Sequence, residues 1–158
     1  MFNLKKLLAF ILVISSLFAV NLLSNTTLSE VFNNNAICYF AYVNNLNNID
    51  CSKYEVTLNG NGAIIKTDIK LANSILVSGC SVSGECVEVS KDFGFGEICK
   101  KLNLKIISSE HVNDRLVVTA YSNMLPTYLT SENNKINIQI AETENAYLIG
   151  YPLILHSY

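Results

Sequence analysis

Lys5 and Lys6 stand directly before Leu7–Leu23, a 17-residue stretch whose only polar members are Ser15, Ser16 and Asn21. A basic flank followed by an uncharged run at the extreme N-terminus is the layout of an export signal. It removes residues 1–24 from the folding problem and assigns them to a signal peptide or a membrane anchor. As a helix the run reaches about 25 Å, slightly short of a hydrocarbon core of about 30 Å yet longer than most signal-peptide cores. Cleavage would need small residues two positions apart. Leu17-Phe18-Ala19 and Leu22-Leu23-Ser24 each offer a bulky first position. Two readings stay open: a peptidase removes the segment, or it stays as an anchor with Lys5 and Lys6 on the cytoplasmic side. Both place residues 25–158 outside the cytoplasm, on the outer face of the membrane or secreted.

Those 134 residues carry nine Lys and Arg against 13 Asp and Glu, near −4. Half of the full chain is apolar and its mean hydropathy is +0.30, which excludes intrinsic disorder. The remainder is long enough to bury a core without relying on disulfides. An acidic domain is not drawn to anionic lipid, and it lacks the basic footprint of a nucleic-acid binder. Lys100, Lys101 and Lys105 form the one cationic cluster, between Glu97 and Glu110. Duplex DNA is expected to bind no better than the weak non-specific range of about 10⁻⁴ M at physiological salt. A salt-sensitive gel shift at micromolar protein, lost on charge reversal at Lys100 and Lys101, would contradict this.

The apolar positions Leu28, Val31, Phe32, Ala36, Phe40 and Val43 recur in steps of three and four, predicting a helix over Leu28–Val43. After Cys51 the period becomes two. Tyr54, Val56 and Leu58 predict a strand, and Asn59-Gly60-Asn61-Gly62 a hairpin-type turn. Leu71–Leu76 suits a short helical turn. Two strands, Ile75–Val82 and Cys86–Val89, are expected around a Ser83-Gly84-Glu85 turn. Glu97–Leu104 reads as a second helix with Ile98 and Leu102 facing inward and Lys100-Lys101 near its end, where cations suit the helix dipole. Lys105–Ser108 and Arg115–Tyr121 flank a turn over Glu110–Asp114. Ile136, Ile138 and Ile140 alternate with Asn137 and Gln139 in a half-buried strand. The final strand, Tyr147–Leu155, contains Pro152 and so should lie at an edge or split there. The expected class is α+β: a mainly antiparallel twisted sheet with two helices packed on one face, forming one extracytoplasmic domain over 25–158.

The chain offers little catalytic chemistry. An odd set of five cysteines, Cys38, Cys51, Cys80, Cys86 and Cys99, leaves at least one thiol unpaired or linked between chains. Cys80 and Cys86 flank the expected hairpin and are the candidate disulfide, provided their Cα atoms come within about 7 Å. No Cys-x-x-Cys is present, so neither thioredoxin-type redox chemistry nor a zinc site is indicated. Cys38 and Cys99 fall on or near apolar helix faces, where buried thiols are ordinary. His111 and His156 are the only histidines, one in a polar turn and one near the C-terminus. Any Ser-His or Cys-His pair would have to use one of them. Asp92-Phe93-Gly94 spells a kinase triplet without the rest of the kinase signature set. Gly60-Asn61-Gly62 and Gly94-Phe95-Gly96 lack a phosphate-loop lysine. Catalytic, cofactor-binding and metal-binding residues are therefore expected to be absent, and no cofactor is called for.

Lys100–Asn123 (KKLNLKIISSEHVNDRLVVTAYSN) and Asn134–Tyr158 (NKINIQIAETENAYLIGYPLILHSY) resemble the end of the YwmB family, exported proteins of spore-forming Firmicutes. The resemblance rests on the asparagine-containing strand Asn137-Ile138-Gln139-Ile140-Ala141, on Ile149-Gly150-Tyr151-Pro152-Leu153-Ile154, on Tyr121-Ser122 and on the terminal Tyr158. It covers about 60 residues of the C-terminal half. It implies a TATA-box-binding-protein-like sheet with helices on one face, and carries over no catalytic residue. That fold name does not imply DNA binding. Three functions follow as expectations. The first is a non-enzymatic exported or membrane-anchored envelope protein that binds an unknown envelope protein, peptide or glycan, held at the membrane through Leu7–Leu23 if that run is uncleaved. The second is a cell-wall-acting enzyme whose site is assembled from distant residues. The third, resting on the resemblance alone, is a structural component of a sporulation-related complex.

Overall fold

Ala36–Val43 is eight apolar residues without a break, rich in β-branched and aromatic side chains, and it forms strand β1. A strand covered on both faces shows no alternation. This is why the three-and-four spacing was misleading: the predicted helix stops after Leu28–Val31 (α1), only four residues. Thr27 and Glu30 close a capping box at its start, each side chain bonding the other's backbone N–H. Asn33-Asn34-Asn35 then turns the chain, as side chains that compete for local backbone bonds do. The computed structural model describes residues 26–154 of the chain, so the signal or anchor assignment for residues 1–24 lies outside the described residues.

The remaining elements are β2 (Glu55–Asn59), β3 (Gly62–Thr67), α2 (Ala72–Leu76), β4 (Val82–Ser90), α3 (Phe95–Lys101), β5 (Leu104–Val112), β6 (Arg115–Ser122), β7 (Leu129–Ser131), β8 (Asn134–Ile136), β9 (Ile138–Glu142) and β10 (Ala146–Tyr151). Eight strands form one sheet in the order β2-β3-β1-β4-β10-β9-β6-β5, and β7 and β8 form a separate hairpin. Every pairing is antiparallel. The fold is α+β with few helices, as the sequence indicates.

The hairpin at Asn59–Gly62 forms as expected, with Asn59 paired to Gly62 across Gly60-Asn61. A side chain at 62 would meet the Val43 carbonyl oxygen at 2.5 Å, so glycine is required there by the neighbouring strand. The β5–β6 turn is tighter than predicted: Asn113 and Asp114, both with positive φ, make it alone, and the flanking strands lengthen accordingly.

Two expectations fail in the centre of the sheet. Ser83-Gly84-Glu85 is not a turn; it lies inside the uninterrupted β4, while residues before it form α2. Gly84 is there for close packing, since a Cβ would come within 3.1 Å of both the Tyr151 oxygen and the Tyr42 ring. Of the two alternatives for the last strand, the edge position fails, because β4 and β9 pair with β10 on either side, while the break at Pro152 is met. The strand ends at Tyr151, and Pro152 sits just past the last ladder position. The chain then folds back, with the Ile154 N–H donating to Oε1 of Gln139.

Strand alternation creates two faces. On the inner face Tyr39, Ala41, Val87, Val89, Ile138, Ile140 and Ile149 join Leu28, Phe32, Ile75, Ile98 and Leu102 from α1, α2, α3 and their ends in one buried cluster. Among the described residues three short α-helices and the 3-10 turn Ile69–Leu71, through Ile69, thus contribute to that core where two longer helices were expected. The opposite face carries a smaller cluster of Tyr42, Cys86 and Leu148.

Candidate functional site

Residues 85, 87 and 89 of β4 share a face. Val87 and Val89 are core, and Glu85 joins them, opposite Ala41 of β1 and Tyr151 of β10. It is 5% exposed and takes part in none of the ion pairs among the described residues. Burial pushes its carboxyl up to about 7; the Ser29 N–H, the Tyr39 hydroxyl and the Leu28 N–H pull the other way, and Glu30 adds a small upward push. Burial beside this carboxyl also raises the Tyr39 phenol. Neither Tyr39 Oη nor Glu85 Oε2 completes a well-formed hydrogen bond, although such groups are normally satisfied when buried.

Glu85 also lines a cleft of about 340 Å³, together with Thr26 and Thr27 before α1, Leu76 of α2, Val82 and Tyr151. Tyr151, the β10 neighbour of Glu85, is held to the loop after β6, its hydroxyl accepting from the Thr127 N–H at 3.0 Å. That loop is itself positioned by Asn137, which was expected to face outward and is instead fully buried. Asn137 Oδ1 accepts from the Ser122 N–H at 2.7 Å, and Nδ2 donates to the carbonyls of Ser122 and Thr127 at 2.8 and 3.0 Å. The predicted Ile136–Ile140 strand divides at Asn137 because its partners change there: β8 pairs with β7 in the separate hairpin, and β9 with β6 and β10 in the main sheet.

Among the described residues the lining contains one carboxyl, no histidine, no cysteine and no cationic side chain. A carboxyl poised near neutrality suits proton transfer, but among the described residues no second acid or base lines the cleft with it. A mostly apolar concavity with a few fixed polar groups is the ordinary form of a ligand site.

Those residues singled out by sequence that are described lie elsewhere. His111 is exposed on the edge strand β5, opposite Leu116. Four strand spacings separate β5 from β4, roughly 19 Å. His156 lies outside the described residues. The hairpin that would have joined Cys80 to Cys86 is not formed. Cys80 packs toward the inner core and its thiol donates to the Ile75 carbonyl, whereas Cys86 is fully buried on the opposite face. All five cysteines are free thiols. Cys38 is on β1 rather than a helix, and burial raises its thiol, as it does those of Cys86 and Cys99. Glu85, the central residue of the cleft, was readable from its alternation with Val87 and Val89, but the apparent Ser-Gly-Glu turn obscured it.

Comparisons with family models, with curated proteins and with solved structures gave no match to this chain.

Proposed function

We propose that this protein is a non-enzymatic exported or membrane-anchored module of the cell envelope, and that it binds a partner in the cleft beside Glu85. The observation carrying this reading is the cleft itself: preformed, walled by apolar and hydroxyl side chains, and provided with a single carboxyl. An enzyme acting on the cell wall would be favoured by converging acids or by His111 in a cleft. Among the described residues the lining has one acid, and His111 is on the far edge strand. The export part of the proposal rests on Lys5-Lys6 and Leu7–Leu23, and the YwmB-like part on the C-terminal segments quoted above.

Thr26 and Thr27 line the cleft three and four residues after Leu23. An extended chain spans at most about 3.5 Å per residue. If the apolar run is retained as an anchor, the cleft lies close to the membrane surface, and its partner is membrane-proximal.

Alkaline phosphatase fused after Tyr158 is expected to be active, reporting an exported C-terminus; a stable but inactive fusion would contradict export. Digestion of cell-wall material by the purified protein, lost in Glu85→Gln or His111→Ala, would overturn the non-enzymatic reading.

A further inference from the structure

A second concavity lies at the β5–β6 edge, built from different chemistry. The strand register sets Lys105 directly opposite Tyr121. Asn103 follows α3 with a φ of +49°, and its Nδ2 donates to Oδ1 of Asn123 at 3.2 Å. These residues and Leu104 surround a cavity of about 250 Å³. Beside it Tyr128 meets Tyr121 nearly at a right angle, 84° with centroids 6.2 Å apart. Tyr128 is 46% exposed, and Lys135 Nζ stands 4.2 Å from its ring centroid.

Helix termination explains an asparagine with left-handed backbone at 103. It does not explain a second amide at 123 paired to the first, nor an exposed tyrosine set as a corner against Tyr121. Each primary amide has two donors and two acceptor sites, and their mutual bond uses one group on each side. The pocket therefore presents neutral donors and acceptors side by side, an ammonium and an aromatic wall, and among the described residues no carboxylate lines it. Adjacent ring hydroxyls match paired amides, and the C–H face of a sugar ring matches an aromatic surface. A nucleic-acid strand would call for more cations, and a lipid surface for a larger apolar patch.

We propose that this pocket binds a pyranose unit of an envelope polysaccharide, with Asn103 and Asn123 reading hydroxyls, Tyr121 covering the ring, Tyr128 setting the Tyr121 ring through their edge contact, and Lys105 at the rim. The proposal extends the binding-module reading to a surface separate from the Glu85 cleft.

The test uses the full chain in a detergent without a sugar headgroup. Chitotetraose, maltotetraose and tetragalacturonate are presented in turn, separating acetamido, neutral and acidic sugars, with saturation-transfer NMR and calorimetric titration as readouts. Saturable binding of at least one is expected. Asn123→Ala and Tyr128→Ala should each weaken it about tenfold, equivalent to about 1.4 kcal/mol. Tyr128→Phe should retain it, and thermal melts should show that each variant is folded. Glu85→Gln should leave sugar binding unchanged. The proposal is overturned if none of the three sugars binds at millimolar concentration, or if binding survives both alanine substitutions. Sugar binding lost only in Glu85→Gln would move the ligand to the cleft, overturning this pocket while leaving the module reading in place.

Discussion

Replacing Asn137 with alanine is expected to destabilise the protein by about 3–5 kcal/mol, because a buried group deprived of its partner costs about 1–3 kcal/mol. Three backbone groups lose their partner at once: the N–H and carbonyl of Ser122 and the carbonyl of Thr127. The site is fully buried, so water cannot take over without opening the core. In a domain of this size the melting temperature should fall by roughly 10–20 °C, measurable by circular dichroism on the full chain. Asn137→Asp should be at least as harmful at neutral pH, since a carboxylate would face the same two carbonyls. A drop of only a degree or two for Asn137→Ala would show that the loop from Ser122 to Thr127 is held by something else. The substitution should also loosen the cleft, because Thr127 braces Tyr151 on its wall.

Stability should fall as pH rises from about 4.5 to 7, opposite to the usual behaviour of a salt-bridged carboxylate. The folded-state carboxyl of Glu85 is raised to about 7 from an ordinary value of 4.5. Within that window the unfolded chain has released this proton and the folded chain still holds it, so each pH unit shifts the balance toward unfolding. Stabilisation is full below the unfolded value and is lost once pH exceeds the folded one. At about 1.36 kcal/mol per unit, the loss amounts to roughly 3 kcal/mol. Glu85→Gln keeps the shape without the charge. It should remove most of this slope and raise stability at pH 8 by a similar amount. Glu142, held low by Lys91, acts in the other direction and at lower pH, so the two contributions separate. Urea titrations at pH 5, 6, 7 and 8 read the difference directly. An unchanged slope in Glu85→Gln would place the ionised carboxylate in a solvated setting and remove the physical basis for a special site in the cleft.

The two residues behind these predictions were hidden for different reasons. Glu85 keeps step with Val87 and Val89, so strand alternation alone placed it on the apolar face. What concealed it was Gly84, taken as a turn residue when its hydrogen is needed for contact with Tyr42 and Tyr151. Asn137 alternates with Ile136, Ile138 and Ile140, and by period it belongs on the polar side. It is buried because the loop after β6 folds over it and presents backbone groups to its amide. No local pattern carries that information, since the partners are 10 to 15 residues away in sequence.

From the residues alone came the α+β class, the Asn59–Gly62 hairpin, the strand at Arg115–Tyr121 and a short helix with Ile98 and Leu102 inward. Each is a local matter, resting on a periodicity or a turn within a few residues. Tertiary structure decided that Ala36–Val43 is a strand, that β10 lies inside the sheet and that Cys80 and Cys86 point to opposite sides of it. These outcomes depend on which strands become neighbours. A segment apolar on both faces suits a buried helix or a central strand equally well until β3 and β4 flank it and satisfy its backbone.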